Sequence, residues 1–243
     1  MNKKIICFIF FSALLLLCCS GCNTQNGILT KTNFTDKTVV LNDTFEPKNF
    51  GNVIELKSSP DFAKIYNNIG ELYPDSENIV FGTVKEIYYF DDSGVGNTIY
   101  TFAIENVYKG NLEENDIISV LTAGGYARLS KHIEVFGKGK FSSYTDEQIK
   151  STVLKTDFMG SSELKTGDKY LIFLSAPIDN EPPFPSGVYT EIGAFMGRYV
   201  CANNKFSRYV PEDEPKFYGV EEKQISLEEV EAELKAAKSL KVK

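Results

Sequence analysis

Three consecutive strand-like stretches, each closed by turn-forming residues, constrain this chain more than any other feature. Residues 79–90 are rich in β-branched and aromatic side chains, and Asp91-Asp92-Ser93-Gly94-Val95-Gly96-Asn97 supplies a turn. Residues 98–108 then place Tyr100, Phe102 and Ile104 on one face, because alternate residues of a strand point the same way. Lys109-Gly110-Asn111 turns the chain again, and residues 116–122 read as a third strand ending at Gly124-Gly125, where a bulge or sharp bend is easy. Consecutive strands joined by short turns pair antiparallel, so the spacing predicts a hairpin extended into a meander. Residues 169–174 (Lys-Tyr-Leu-Ile-Phe-Leu) form the most hydrophobic strand and are predicted to be central, since a strand covered on both faces loses its polar alternation. Shorter strands are expected at 188–192, 196–202 and 206–210, after a Pro-rich loop at 181–185.

Helix signals frame these strands. After a short strand at 53–56, Ser59 is placed to cap free N–H groups and Pro60 suits a first helical turn. Phe62, Ile65, Tyr66 and Ile69 recur at helical spacing and Gly70 suits the end, which predicts a helix over 59–70. Thr145 with Gln148 and Ser226 with Glu229 are capping-box pairs, the second opening a C-terminal helix over 227–239 with Leu227, Val230 and Leu234 as its apolar stripe. The fold class is therefore mainly β with flanking helices (α+β), either an OB-like antiparallel β-barrel or a strongly curved meander sheet.

The N-terminus carries an address. Lys3 and Lys4 form a positive n-region and residues 5–17 an apolar h-region, the pattern of a signal peptide over 1–21. The run is shorter than the roughly 20 apolar residues of a membrane-spanning helix. Cys19-Ser20-Gly21-Cys22 resembles the bacterial lipobox, departing from it at Cys19, where the pattern most often has leucine. The resemblance implies cleavage before Cys22 and transfer of diacylglycerol to its thiol, with palmitate among the acyl chains of the anchor. Two or three acyl chains, at about 0.8 kcal/mol per buried methylene, hold a protein at a bilayer. Lys, Asn and Ile richness points to a low-GC, Gram-positive cell, and so to the outer face of its cytoplasmic membrane.

Once the signal is removed, only Cys22 and Cys201 remain of the 5 cysteines, so no intramolecular disulfide is expected beside an acylated Cys22. Cys201 lies in an apolar run and reads as a small buried hydrophobe in a strand. A thiolate nucleophile wants a histidine, and the one histidine, His132, sits far away in sequence in a loop-like stretch. Losing Lys3 and Lys4 takes the formal charge from -7 to -9, which disfavours nucleic acid as a partner. Residues 22–51, rich in Asn, Thr, Lys and Asp, read as a lipidated flexible tether with a reach on the order of 30 Å, within which 38–41 could add an edge strand. The folded domain then spans 52–243, with 126–162 as an insertion that breaks the strand rhythm.

Ile79-Val80-Phe81-Gly82-Thr83-Val84, then Val107-Tyr108-Lys109-Gly110, then residues 164–174 together resemble a domain of exported bacterial proteins similar to the netrin and tissue-inhibitor-of-metalloproteinases class of OB-like barrels. The similarity covers residues 52–210 and implies a fold more than a function. The inhibitors act through a disulfide-bonded N-terminal cysteine; here Cys22 is acylated and remote from the barrel, so that mechanism does not carry over.

No nucleophile elbow, HExxH, mature CxxC or phosphate loop occurs, and Gly94-Val95-Gly96 lacks the following helix of a dinucleotide site. No catalytic residue, metal or cofactor is assigned. Asp91 and Asp92 are two adjacent carboxylates at a hairpin tip, short of the six to eight oxygens calcium takes. Glu212-Asp213-Glu214 and Glu221-Glu222 read as solvated loop charges. One local basic group, Arg128, Lys131, Lys138 and Lys140, is interleaved with Tyr126, His132, Phe136 and Phe141 and is the candidate binding segment for an anionic group. The expected function is a membrane-anchored binding module for an extracytoplasmic protein or wall polymer. A hydrolase-like enzyme with a site assembled from scattered residues and a purely structural lipoprotein are the alternatives.

Overall fold

The alternating segments become strands at nearly the expected bounds. A computed structural model describes residues 34–58, 61–91, 94–158, 163–179, 184–211 and 224–240. In chain order these form β1 (Thr35–Lys37), β2 (Asn52–Ser58), α1 (Ile69–Asp75), β3 (Asn78–Phe90), β4 (Asn97–Lys109), β5 (Asp116–Ala123), β6 (Gly125–Arg128), α2 (Leu129–Phe136), α3 (Asp146–Lys150), β7 (Thr152–Phe158), β8 (Lys169–Leu174), β9 (Tyr189–Thr190), β10 (Arg198–Ala202), β11 (Lys205–Arg208), β12 (Ile225–Ser226) and α4 (Leu227–Leu240). The signal peptide at 1–21, Cys22, Pro60, Asp92 and the acidic runs at 212–214 and 221–222 lie outside the described residues.

The larger sheet follows the order β1-β5-β4-β3-β8-β10-β11-β12, and the smaller one β2-β7-β6. The β3–β4–β5 meander is antiparallel throughout, as predicted. Strand β8 lies between β3 and β10, and its alternation serves two cores at once. Leu171 and Phe173 join Ile79, Tyr199 and Phe206 beneath α1 and α4, which contribute Ile69, Leu72, Val230 and Leu234. Tyr170, Ile172 and Leu174 join Val80, Val84, Tyr100, Phe102, Ile104 and Val120 on the opposite face. The capping box of α4 is formed: the Ser226 N–H donates to Glu229 at 2.7 Å and the Glu229 N–H to the Ser226 hydroxyl at 3.3 Å. That of α3 is formed likewise by Thr145 and Gln148.

Neither sheet closes into a barrel, one of the two expected outcomes; β1 and β12 are the open ends of the larger path. The sheet is nevertheless bent. Tyr189 and Thr190 pair with β5, while the adjacent Glu191 bridges to Leu174 at the end of β8. β5 and β8 are three ladders apart along the sheet, and with strands about 4.8 Å apart a flat sheet could not present both to neighbouring residues. Register shifts in the β3–β4 pair, between Ile79/Val80, Phe81/Gly82 and Val84/Glu86, supply the local twist. Gly82 lies at one of them, where an added Cβ would stand 2.1 Å from the Ala103 carbonyl oxygen.

Three expectations are corrected. The helix predicted over 59–70 forms instead at α1. Asn68 caps it by accepting the Glu71 N–H at 3.0 Å, so Gly70 opens the helix rather than ending it. Phe62, Ile65 and Tyr66 still pack on the core, from a stretch without regular structure whose Tyr66 and Asn67 carbonyls accept from the buried Arg208 guanidinium at 2.7 and 2.6 Å. Second, residues 34–51, expected within the tether, lie along the domain. β1 pairs parallel with β5, Lys37 meets Asp116 at 2.7 Å, the Val39 N–H donates to the Ser119 hydroxyl at 3.1 Å, and Phe45 bridges to Tyr89. Third, residues 126–158 are no mere insertion. β6 and β7 join β2 in the second sheet, with β2 and β7 parallel over seven residues, and Ile54 and Leu56 pack against Leu129, Phe141 and Leu154. The strands expected at 188–192 and 196–202 are shorter, a 3-10 turn at Ala194–Gly197 separating them.

Gly82→Ala should destabilise the domain by about 2–3 kcal/mol, since the clash is with backbone that cannot step aside. Urea denaturation followed by tyrosine fluorescence measures the loss, and an unchanged midpoint would contradict this account of the bend.

Candidate functional site

The basic segment begins at Arg128, the last residue of β6, and its first member is already spent. Asp91, just after β3, is 1 % exposed. Its carboxylate accepts the Arg128 backbone N–H at 2.6 Å and the guanidinium at 3.0 Å from Nε and 2.6 Å from Nη2. The same guanidinium donates to both oxygens of Asp43, at 2.9 and 2.7 Å, and lies over the Phe45 ring at 5.1 Å. Donating to Asp91 first and to Asp43 next raises the affinity of Arg128 for its proton, and the arginine holds the Asp43 carboxyl below its ordinary range. Asp91 is therefore not at a solvated hairpin tip. A buried carboxylate requires a partnered cation, and Arg128 supplies it.

The three lysines differ. Lys131 reaches Glu134 at 3.2 Å and Lys138 approaches Asp146 at 3.8 Å, both in exposed pairs of small energetic value. Lys140 lies over the Phe141 ring at 5.2 Å and has no carboxylate partner among the described residues. Arg128 is thus set apart from the lysines, and the four do not form one anion cradle.

α2 arranges what surrounds them. Leu129 is buried and Ile133 half-buried against Phe141, Ile149 and Leu154, so one face of the helix is committed to the second sheet. His132 is helical rather than in a loop. Its Nδ1 lies 3.0 Å from the Gly94 carbonyl oxygen, and its ring packs at a tilt on Phe136 at 4.8 Å and edge-to-face with Phe141 at 6.0 Å. Gly94 adopts φ 70, a conformation L side chains rarely take, and a Cβ there would sit 3.1 Å from the Lys131 carbonyl oxygen. At the end of the helix Val135 and Phe136 are 55 % and 58 % exposed, and the Gly137–Gly139 turn beyond them is uncovered. Sequence reasoning named Phe136 only as an aromatic among cations and missed Val135. The helix end at Gly137 was the available signal, since it removes the following turn that would have covered both.

Two buried groups complete the inventory. Glu191 accepts from the Tyr100 hydroxyl at 2.6 Å, Thr122 at 3.1 Å and Arg198 at 3.3 Å, a closed network in which burial first, and Glu191 next, push the Tyr100 hydroxyl far above its ordinary range. Burial also holds Tyr170, beside Arg198, at about 12. Cys201 is a free thiol in β10, half-buried against the core under α4, its pKa raised by burial. His132 belongs to the second sheet's cluster, so the two are not brought together as a dyad. Among the described residues no group of three or more His, Cys, Asp or Glu is placed to hold a metal, and no helix is long and apolar enough to cross a membrane.

Replacing Arg128 with alanine should cost about 3–5 kcal/mol, because the buried Asp91 carboxylate loses its cation and keeps only the backbone N–H of residue 128. Asp43→Ala should change stability little, its carboxylate being largely exposed. What Asp43 does contribute is present above the ordinary carboxylate pKa and is lost as pH falls through its depressed folded value. Urea titrations of both variants at neutral and acid pH separate the two roles. No protein-family model matches this chain, and a search of curated proteins finds no match.

Proposed function

We propose that this protein is an exported lipoprotein, cleaved before Cys22 and held by acyl chains at the outer face of the cytoplasmic membrane of a Gram-positive cell, and that its bent sheet is an OB-like scaffold presenting a binding surface to an envelope protein or wall polymer. The anchoring half rests on the positive n-region, apolar h-region and Cys19-Ser20-Gly21-Cys22. Twelve residues from Cys22 to Asn33 precede the first described residue, and at full extension they span at most roughly 40 Å.

The binding half rests on one observation, the exposed pair Val135 and Phe136 at the end of α2, flanked by Lys131, Lys138 and Lys140. Aromatic side chains dominate the energetics of protein interfaces, and a rim of lysines adds steering toward acidic partners. α2 is fixed from beneath by Leu129 and Ile133 and from one side by the His132–Gly94 contact, so its outer face is presented rigidly. A rigid surface binds with less loss of conformational freedom than a loop would.

Cys22→Ala should abolish incorporation of labelled palmitate and release the protein from the membrane fraction. Persistent labelling would place the acyl chain on another cysteine. For the surface, the chain from residue 22 with Cys22→Ser is immobilised and exposed to solubilised envelope fractions, beside a Val135→Ser, Phe136→Ser variant. Exposed substitutions of this kind leave stability within about 0.5 kcal/mol. A saturable partner retained by the first and lost by the second is the expected result; equal capture by both would remove α2 from the site.

A further inference from the structure

We propose that the groove between residues 36–44 and the outer face of the β3–β4–β5 meander is a second binding site, which takes a neutral polyhydroxylated ligand of mono- or disaccharide size. β1 is paired to β5, whereas Phe45 bridges to Tyr89 on β3, so the segment between them must cross over β4. Between that crossing and the sheet lies a cavity of about 480 Å³, within the range of small-molecule sites.

Its floor contains the one buried side-chain polar atom without a partner among the described residues. Thr101 on β4 is 7 % exposed, and its hydroxyl oxygen has no hydrogen bond. Buried hydroxyls are rarely left so, because removal from water without replacement is unfavourable, and such a group calls for an occupant that can both donate and accept.

The walls specify what kind. Lys85, Glu86 and Tyr88 line the groove from β3, and Asp36 and Thr38 from the crossing segment. Asp36 accepts from the Thr38 N–H at 2.9 Å and its hydroxyl at 2.7 Å, and Glu86 accepts from the Tyr88 hydroxyl at 2.5 Å, which leaves each carboxylate further lone pairs. An anion entering here meets two carboxylates against one ammonium, and a cation, though drawn by those carboxylates, can accept nothing from the Lys85 ammonium or the Thr101 hydroxyl. A polyol matches both kinds of group, since every hydroxyl donates and accepts. Its C–H faces find apolar cover on Val39, Leu41 and Ile117. This site is on different elements from the α2 surface and does not rest on it.

The test is saturation-transfer NMR on the chain from residue 22 carrying Cys22→Ser, with glucose, N-acetylglucosamine, maltose and cellobiose as probes and with acetate and tetramethylammonium as charged counterparts. At least one sugar should give a saturable response and the two ions none. Thr101→Val should weaken that sugar by about five-fold while the melting temperature holds or rises, since the methyl replaces an unpartnered hydroxyl. Lys85→Ala, at an exposed position, should weaken it similarly without touching the fold. Absence of binding by all four sugars, a stronger response to either ion, or undiminished binding by both variants would overturn the proposal. Capture through Val135 and Phe136 is read separately, so failure of one site leaves the other standing or fallen on its own result.

Discussion

Burying the Asp91 carboxylate is the constraint on which the surrounding arrangement depends. A carboxylate with 1 % exposure has lost its water, and the cost is several kcal/mol unless a cation and further donors replace it. Here the replacement comes from a single residue of the other sheet, through its backbone N–H and its guanidinium. Once Arg128 is drawn to Asp91, β6 and the start of α2 are placed beside the β3–β4 turn, and the remaining donors face outward to Asp43. Parts of the chain 85 and 37 positions from Arg128 thereby converge on one side chain. Such a pair adds little net stability over a well-packed apolar contact, whereas removing one member leaves the other buried without its counter-charge.

The glycines around that junction follow from it. With His132 against the Gly94 carbonyl and the turn pressed on α2, residue 94 has neither the room nor the φ for a side chain. The same turn read from sequence is a solvated hairpin tip, because Asp, Ser and Gly are turn formers whether or not anything covers them. Local residue preference specifies the turn; what packs over it is a long-range fact.

That division runs through the whole chain. β3, β4, β5, β8 and α4 were legible because periodicity, turn residues and a capping box are local signals. The partnership of β2 with β7 was not: the strands are parallel, about a hundred residues apart, and half-exposed, so no turn connects them and no continuous apolar run marks them. Residues 34–51 were read as tether because their composition is polar, yet they are held by backbone and single side-chain hydrogen bonds, which composition does not register, together with the few apolar side chains Val39, Leu41 and Phe45. The 59–70 segment shows the converse. Its apolar spacing identified residues that do reach the core, but Arg208 satisfies their carbonyls in place of helical hydrogen bonds. In the basic segment, charge was legible and commitment was not: Arg128 and Lys140 look equivalent in sequence, one clamped by two carboxylates and the other resting on Phe141.

Two polar groups on neighbouring strand faces show how the bent sheet separates structural from available chemistry. Tyr100 points inward, where Glu191, Thr122 and Arg198 complete a network in which each member has a partner. Thr101, the next residue, points to the other face and has none. Since successive side chains of a strand alternate, the same two residues carry both a completed polar network on one face and a buried, unpartnered hydroxyl beneath the groove on the other. The inner network is held by residues of the sheet and of its bend at Glu191, and it is complete as soon as the strands pair. The outer face is covered by a crossing segment anchored at β1 and at Phe45, with Lys37–Asp116 at one end and Asp43–Arg128 at the other. The segment is also held in its middle, where the Val39 N–H donates to Ser119 and Val39 and Leu41 pack on the sheet, so the cover over Thr101 is fixed along its length as well as through the arginine that compensates Asp91.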